Sequence, residues 1–167
     1  VTGVQTCALP ISGNSSIKGM EVLWSTAIGS IANLNLNLNA YHNTISAFSV
    51  TNLYPTPEIF SAEKQNLWSG SFKLNALIHL PRKTDLQISS VYLAPDVVPQ
   101  GKTYERHYVD AGIRKNIRNG KGELFFNVTD LFNTLKIRKS TYGNGFHFIS
   151  TDYYETQVFR AGINLKF

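Results

Sequence analysis

Tyr153-Tyr154-Glu155-Thr156-Gln157-Val158-Phe159-Arg160-Ala161-Gly162-Ile163-Asn164-Leu165-Lys166-Phe167 is the stretch on which the fold turns. Its second half alternates. Phe159, Ala161, Ile163, Leu165 and Phe167 share one parity, and Arg160, Gly162, Asn164 and Lys166 share the other. A period of two puts successive side chains on opposite faces of a strand. One face is therefore apolar and the other polar, and the apolar face runs to the terminal aromatic.

The same pattern recurs upstream. Leu34, Leu36, Leu38 and Ala40 alternate with Asn33, Asn35, Asn37 and Asn39. A helix would smear these residues around its circumference, so the reading is strand. Seven long strands are expected: 18–28, 31–46, 65–80, 84–94, 103–117, 122–142 and 153–167. The sixth changes parity near Asp130-Leu131, which suggests a bulge. No stretch reads as helical. The connections alternate in length. Gly29-Ser30, Pro81–Lys83 and Arg118–Gly122 are short, with Asn119-Gly120 a strong hairpin signal. Residues 48–64, 95–102 and 143–152 are longer, and Asn52, Pro55 and Pro57 mark the first of these as a loop. Strands of about ten residues, short turns at one end and long loops at the other describe a transmembrane barrel. Trp24, Tyr41, Trp68, Tyr92, Tyr104 and Phe167 lie near strand ends, where interfacial aromatic girdles belong. The fold class expected is all-β: an antiparallel up-and-down meander of about seven strands, forming an open segment of a larger transmembrane β-barrel. The competing reading is a soluble or surface β-sandwich for adhesion or carbohydrate binding.

Composition fits a wall with one greasy and one wet face. The 167 residues are 43% hydrophobic, 12% aromatic and only 16% charged, against roughly 25% charged in an average soluble domain. No run approaches the ~18 apolar residues of a membrane-spanning helix. The net charge of +5 is spread along strands and turns without a dense basic cluster. Nucleic-acid binding is therefore not expected. Cys7 is the only cysteine, so neither a disulfide nor a thiolate metal site is expected.

No catalytic set stands out, and enzyme activity is not expected. Gly101-Lys102-Thr103 looks like the tail of a phosphate-binding loop. Position 96 is Asp96 where that pattern needs glycine, and no helix follows. His42, His79, His107 and His147 lie on different strands or loops without metal-ligand spacing. No cofactor is implied. Arg106, Tyr108, Asp110, Arg114 and Arg160 fall on polar parities and are candidate lumen-lining residues, although a polar inner wall is generic to barrels.

The segment Glu123–Thr134 carries a more specific signal. Asn127, Val128, Asp130, Leu131, Phe132 and Asn133, followed by a polar loop and a strand ending at Phe167, resemble the C-terminus of TonB-dependent outer-membrane receptors. Tyr92-Leu93-Ala94-Pro95 with Gln100-Gly101, and Asp110-Ala111-Gly112-Ile113-Arg114-Lys115, resemble the Bacteroidetes branch of that family. The resemblance covers roughly residues 17–167, and residues 12–167 are expected to be the C-terminal part of such a barrel. It implies about 22 strands around a plugged lumen in the whole receptor, and uptake of a bulky scarce ligand such as an iron chelate, cobalamin, glycan or peptide. It also implies contact with outer-membrane lipid, with the barrel-assembly machinery through the last strand, and with a TonB-type protein through an N-terminal region absent here. Val1–Ile11 resembles the in-frame translation of a sequencing-library adapter. These residues are expected to be an artefact, with the plug and earlier strands lying upstream in the native protein.

Overall fold

The alternating pattern builds one wide sheet in the computed structural model, which describes residues 13–52, 57–117, 121–143 and 145–165. The adapter-like segment, the Asn119-Gly120 turn, Asn144 and Phe167 lie outside these residues. Seven strands are β1 (Ser15–Ile28), β2 (Ala32–Ile45), β5 (Gln65–Leu80), β6 (Thr84–Leu93), β9 (Arg106–Ile117), β10 (Gly122–Thr129) and β13 (Val158–Leu165). They form a single sheet in the order β1-β2-β5-β6-β9-β10-β13, and every neighbouring pair is antiparallel. The meander runs in chain order, its edges β1 and β13 do not meet, and the described residues contain no helix.

Register explains how the face is built. Leu34 pairs with Thr26 and Ala76, which continues through Ile88, Ala111 and Val128 to Phe159. The next row on this face runs Ile28, Ala32, Ile78, Leu86, Ile113, Phe126, Ala161. Because the period is two, each such row carries apolar groups across the whole sheet. The face is uncovered: Met20 and Trp68 are each 70% exposed, and Phe159 is 60% exposed. A sandwich would need a second sheet packed about 10 Å away on this face. None of the described elements supplies one.

The opposite face is polar and cross-linked by side chains. Ser25 Oγ donates to Asn35 Oδ1 at 2.7 Å, and Asn164 Nδ2 donates to Glu123 Oε1 at 3.4 Å. Leu23, 72% exposed on this parity of β1, breaks the pattern.

The short connections gather at one end and the long ones at the other. Gly29 takes φ 53° in the β1–β2 turn, and Arg82 and Lys83 take φ 62° and 57° in the β5–β6 turn. The long connections are not plain loops. The first holds a hairpin, β3 (Phe48–Asn52) with β4 (Glu58–Ala62). The other two combine into a four-stranded sheet, β12-β11-β8-β7, made of β7 (Asp96–Val98), β8 (Gly101–Thr103), β11 (Lys136–Gly143) and β12 (Phe146–Tyr153).

This corrects the expected sixth strand. The stretch 122–142 is not one strand with a bulge. The chain leaves the wall after Thr129, turns at Asp130–Asn133, and re-enters strand in a different sheet. Two of the assigned girdle aromatics are also misplaced. Tyr41 faces the polar side and donates to Asp96 Oδ2 at 2.8 Å. Tyr104 lies between Lys102 and Arg138 of the outer sheet.

Candidate functional site

The turn that ends β10 gathers several side-chain and backbone hydrogen bonds. Asp130 and Asn133 both take left-handed backbone, at φ 47° and 54°. Asx residues adopt this conformation at lower cost than other side chains. Asp130 is 1% exposed. Its Oδ1 accepts from the Thr134 amide at 2.9 Å, and its Oδ2 accepts from the Leu135 amide at 3.0 Å and from Thr156 Oγ1 at 2.6 Å. Burial pushes this carboxyl up. The bonds from Thr156, Thr134 and Leu135 outweigh burial and hold it below its ordinary value of 3.8.

Further bonds stitch the turn to its neighbours. The Asp130 amide donates to Asp110 Oδ1 at 2.8 Å and the Leu131 amide to the Val109 carbonyl at 2.7 Å. Tyr153 Oη donates to Asn133 Oδ1 at 2.6 Å, and Gln157 Nε2 to the Leu131 carbonyl at 3.0 Å. The turn thus ties β9 to the segment that leads into β13. Leu131 and Phe132 are exposed beside it, whereas Val128 is buried in the apolar row described above. Asn127 sits on the polar face opposite Gly112 and Arg160.

The five polar candidates occupy one face. Arg106, Tyr108, Asp110 and Arg114 alternate along β9, and Arg160 joins them through its pairing with Asn127. They do not form one cluster. Asp110 and Arg160 line a shallow hollow of about 220 Å³ with Gln87, Ser89 and Asn127. Arg114 lies nearer the short-turn end, where its Nε pairs with Asp85 at 2.9 Å. Arg106 belongs to a separate hollow at the long-loop end.

One constellation escaped the sequence reading. His79 Nδ1 lies 2.7 Å from Asp85 Oδ1, and its Nε2 lies 3.3 Å from Asn33 Nδ2. His79 and Asp85 are direct cross-strand partners over the three-residue turn, so counting outward from Pro81–Lys83 could have paired them. With Arg114 they form a charged brace across β5, β6 and β9. No group of three or more His, Cys, Asp or Glu side chains converges there or elsewhere in the described residues. Gly101 explains its own motif. At φ 154°, a Cβ there would run into the Ser140 carbonyl where β8 meets β11, so this glycine serves strand contact.

An amphipathic sheet with lipid-length strands, a bare apolar face and a hydrogen-bonded polar face is the wall of a transmembrane β-barrel. The chain belongs to the outer membrane protein beta-barrel family, whose model matches residues 12–167. Comparison with curated proteins and with solved structures found no match. The protein is located in the bacterial outer membrane. No helix of the described residues is long and apolar enough to cross a membrane.

Proposed function

We propose that this chain is the C-terminal barrel segment of a TonB-dependent receptor that imports a bulky, scarce ligand; it acts by transport and not by catalysis. The observation that carries the reading is the width of the wall. Seven strands leave their edges apart, and the face opposite the apolar one is mostly polar and cross-linked by side chains, with Leu23 an exception. A barrel of about eight strands fills its interior with side chains, whereas a barrel of about 22 strands encloses a lumen held by a plug. The motif from Asn127 to Asn133 and the loop-then-strand that follows support the specific family. On this reading Arg106, Tyr108, Asp110, Arg114 and Arg160 face the lumen. Energy arrives through a TonB-type protein that contacts the plug region, and β13 is the strand offered to the barrel-assembly machinery.

The test is cross-linking of the complete gene product, in outer membranes, to the periplasmic domain of a TonB-type protein, combined with uptake measured with and without a proton-motive force. A ligand-stimulated cross-link and energy-dependent uptake are expected. A barrel that never cross-links, and whose uptake is unchanged when the gradient is collapsed, refutes the assignment.

A further inference from the structure

The four-stranded outer sheet has two unlike faces. Lys136, Arg138, Ser140 and Tyr142 share one face of β11. Pairing carries that face to Tyr153, Thr151, Ile149 and His147 on β12 and to Lys102 on β8. Tyr104 follows β8, and its amide donates to the Arg138 carbonyl at 2.9 Å. The Tyr104 ring has Lys102 Nζ 5.1 Å from its centroid and the Arg138 guanidinium 4.6 Å away. Lys136 Nζ lies 5.8 Å from the centroid of Tyr153. Cations held on aromatic faces keep their donors free for a further partner.

Beneath this shelf opens a hollow of about 390 Å³, lined by Tyr104, Arg106, Lys136, Arg138, Ile149 and Thr151 among others. That volume lies within the ~300–1,000 Å³ of small-molecule clefts. Arg106 belongs to the polar face of the wall, so the hollow joins the outer sheet to that face. Among the described residues, none of Lys102, Arg106, Lys136 and Arg138 makes an ion pair; the Arg114–Asp85 pair lies at the other end. Glu105, which also lines the hollow, is the only carboxylate there. Lys136 and Arg138 lie two positions apart on one face of β11, so their like charges repel, and an anion lying between them would offset that repulsion.

We propose that this hollow is the capture site for a soluble oligoanion carrying two or more carboxylate or phosphate groups. This deepens the receptor reading and rests on it for the outward-facing location. Arg106 and Arg138 supply planar forks that match either anion in bidentate fashion. Lys136 adds a point charge, and Tyr104 with Ile149 gives the ligand's carbon skeleton an apolar floor.

The experiment measures equilibrium binding to the complete protein in detergent, where no energy source is present, so failure of TonB coupling cannot mimic failure of the site. The probes are citrate, pyrophosphate and digalacturonate, with cellobiose as the neutral control. At least one anion should bind, more weakly as salt rises, while cellobiose does not. The double variant K136Q/R138Q should weaken binding at least about tenfold. Lys139→Gln removes one positive charge from the opposite face of β11 and should change affinity less than about twofold; an unchanged far-UV spectrum for each variant establishes that the fold is retained. Equal binding by wild type and K136Q/R138Q overturns the site. So does a protein that ignores all three anions but binds lipopolysaccharide through these cations, since the occupant would then be a lipid.

Discussion

Asp130 is the largest fully buried side chain among the described residues, and it carries a charge. Each of its oxygens already has a donor, so Asn in its place would turn an amide towards Thr156 or a backbone N–H. Asp130→Asn should cost about 1.5–3 kcal/mol of barrel stability, and Asp130→Ala about 1 kcal/mol more for its left-handed backbone. Urea titration of the complete barrel in detergent checks both values. The carboxyl's lowered pKa also has a signed consequence. Its stabilisation is fully present above the ordinary 3.8 and is lost as pH falls through the lower folded value. The wild-type melting temperature should therefore fall more steeply than that of Asp130→Asn as pH drops below the ordinary 3.8; parallel curves would show that the carboxylate contributes nothing. Leu36 and Asn37 test the facing. Leu36 sits between Trp24 and Leu74, while Asn37 Nδ2 donates to Glu21 Oε1 at 2.6 Å. Leu36→Arg should cost about 2–4 kcal/mol near the bilayer midplane, and Asn37→Arg far less. Equal costs would reverse the assigned faces.

At the scale of elements, the sheet's two ends differ by design of the connections. A tag inserted after Gly145, in the β11–β12 turn, should label on whole cells. One inserted between Arg82 and Lys83 should label only after the outer membrane is opened, because short turns face the periplasm. The wall itself was legible because half of each strand meets lipid and half meets polar surroundings, which writes alternation into the sequence. The span of β5 and the turn at Pro81–Lys83 follow directly. The outer sheet was not legible for the same reason inverted. In β12 six of the eight residues are exposed, so nothing enforces a period of two. β11 carries four consecutive polar residues, Arg138 to Thr141, and no alternation of its own; nothing local separated it from β10, and so 122–142 read as one strand. The hub at Asp130 showed only as a slip of parity. Beside the local bonds from Thr134 and Leu135, it is tied to Asp110 and Thr156, 20 and 26 positions away, which no local pattern announces. The same blindness applied to Gly101, where only the approach of Ser140 explains the residue.

The whole molecule is a sheet that cannot finish itself. β1 and β13 each present one unpaired edge among the described residues, and one entire face is apolar. In hydrocarbon every unpaired backbone group is costly, so a wall is viable there only when its edges close. In water the apolar face and the open edges both invite other chains. The two environments therefore make opposite demands that residues 13–165 alone do not meet. Expressed by itself in water, the 167-residue chain should form inclusion bodies or β-rich aggregates. Refolded in detergent it should stay heterogeneous, without a cooperative melt. On the receptor reading proposed above, the complete gene product pairs β13 with a strand supplied from outside these residues and should instead give one sharp transition in the same detergent. Size-exclusion chromatography and thermal melting of the far-UV signal, run on the two side by side, decide the matter. A monomeric chain that melts cooperatively without detergent would mean that this sheet covers its own apolar face, and the open-wall architecture would be wrong.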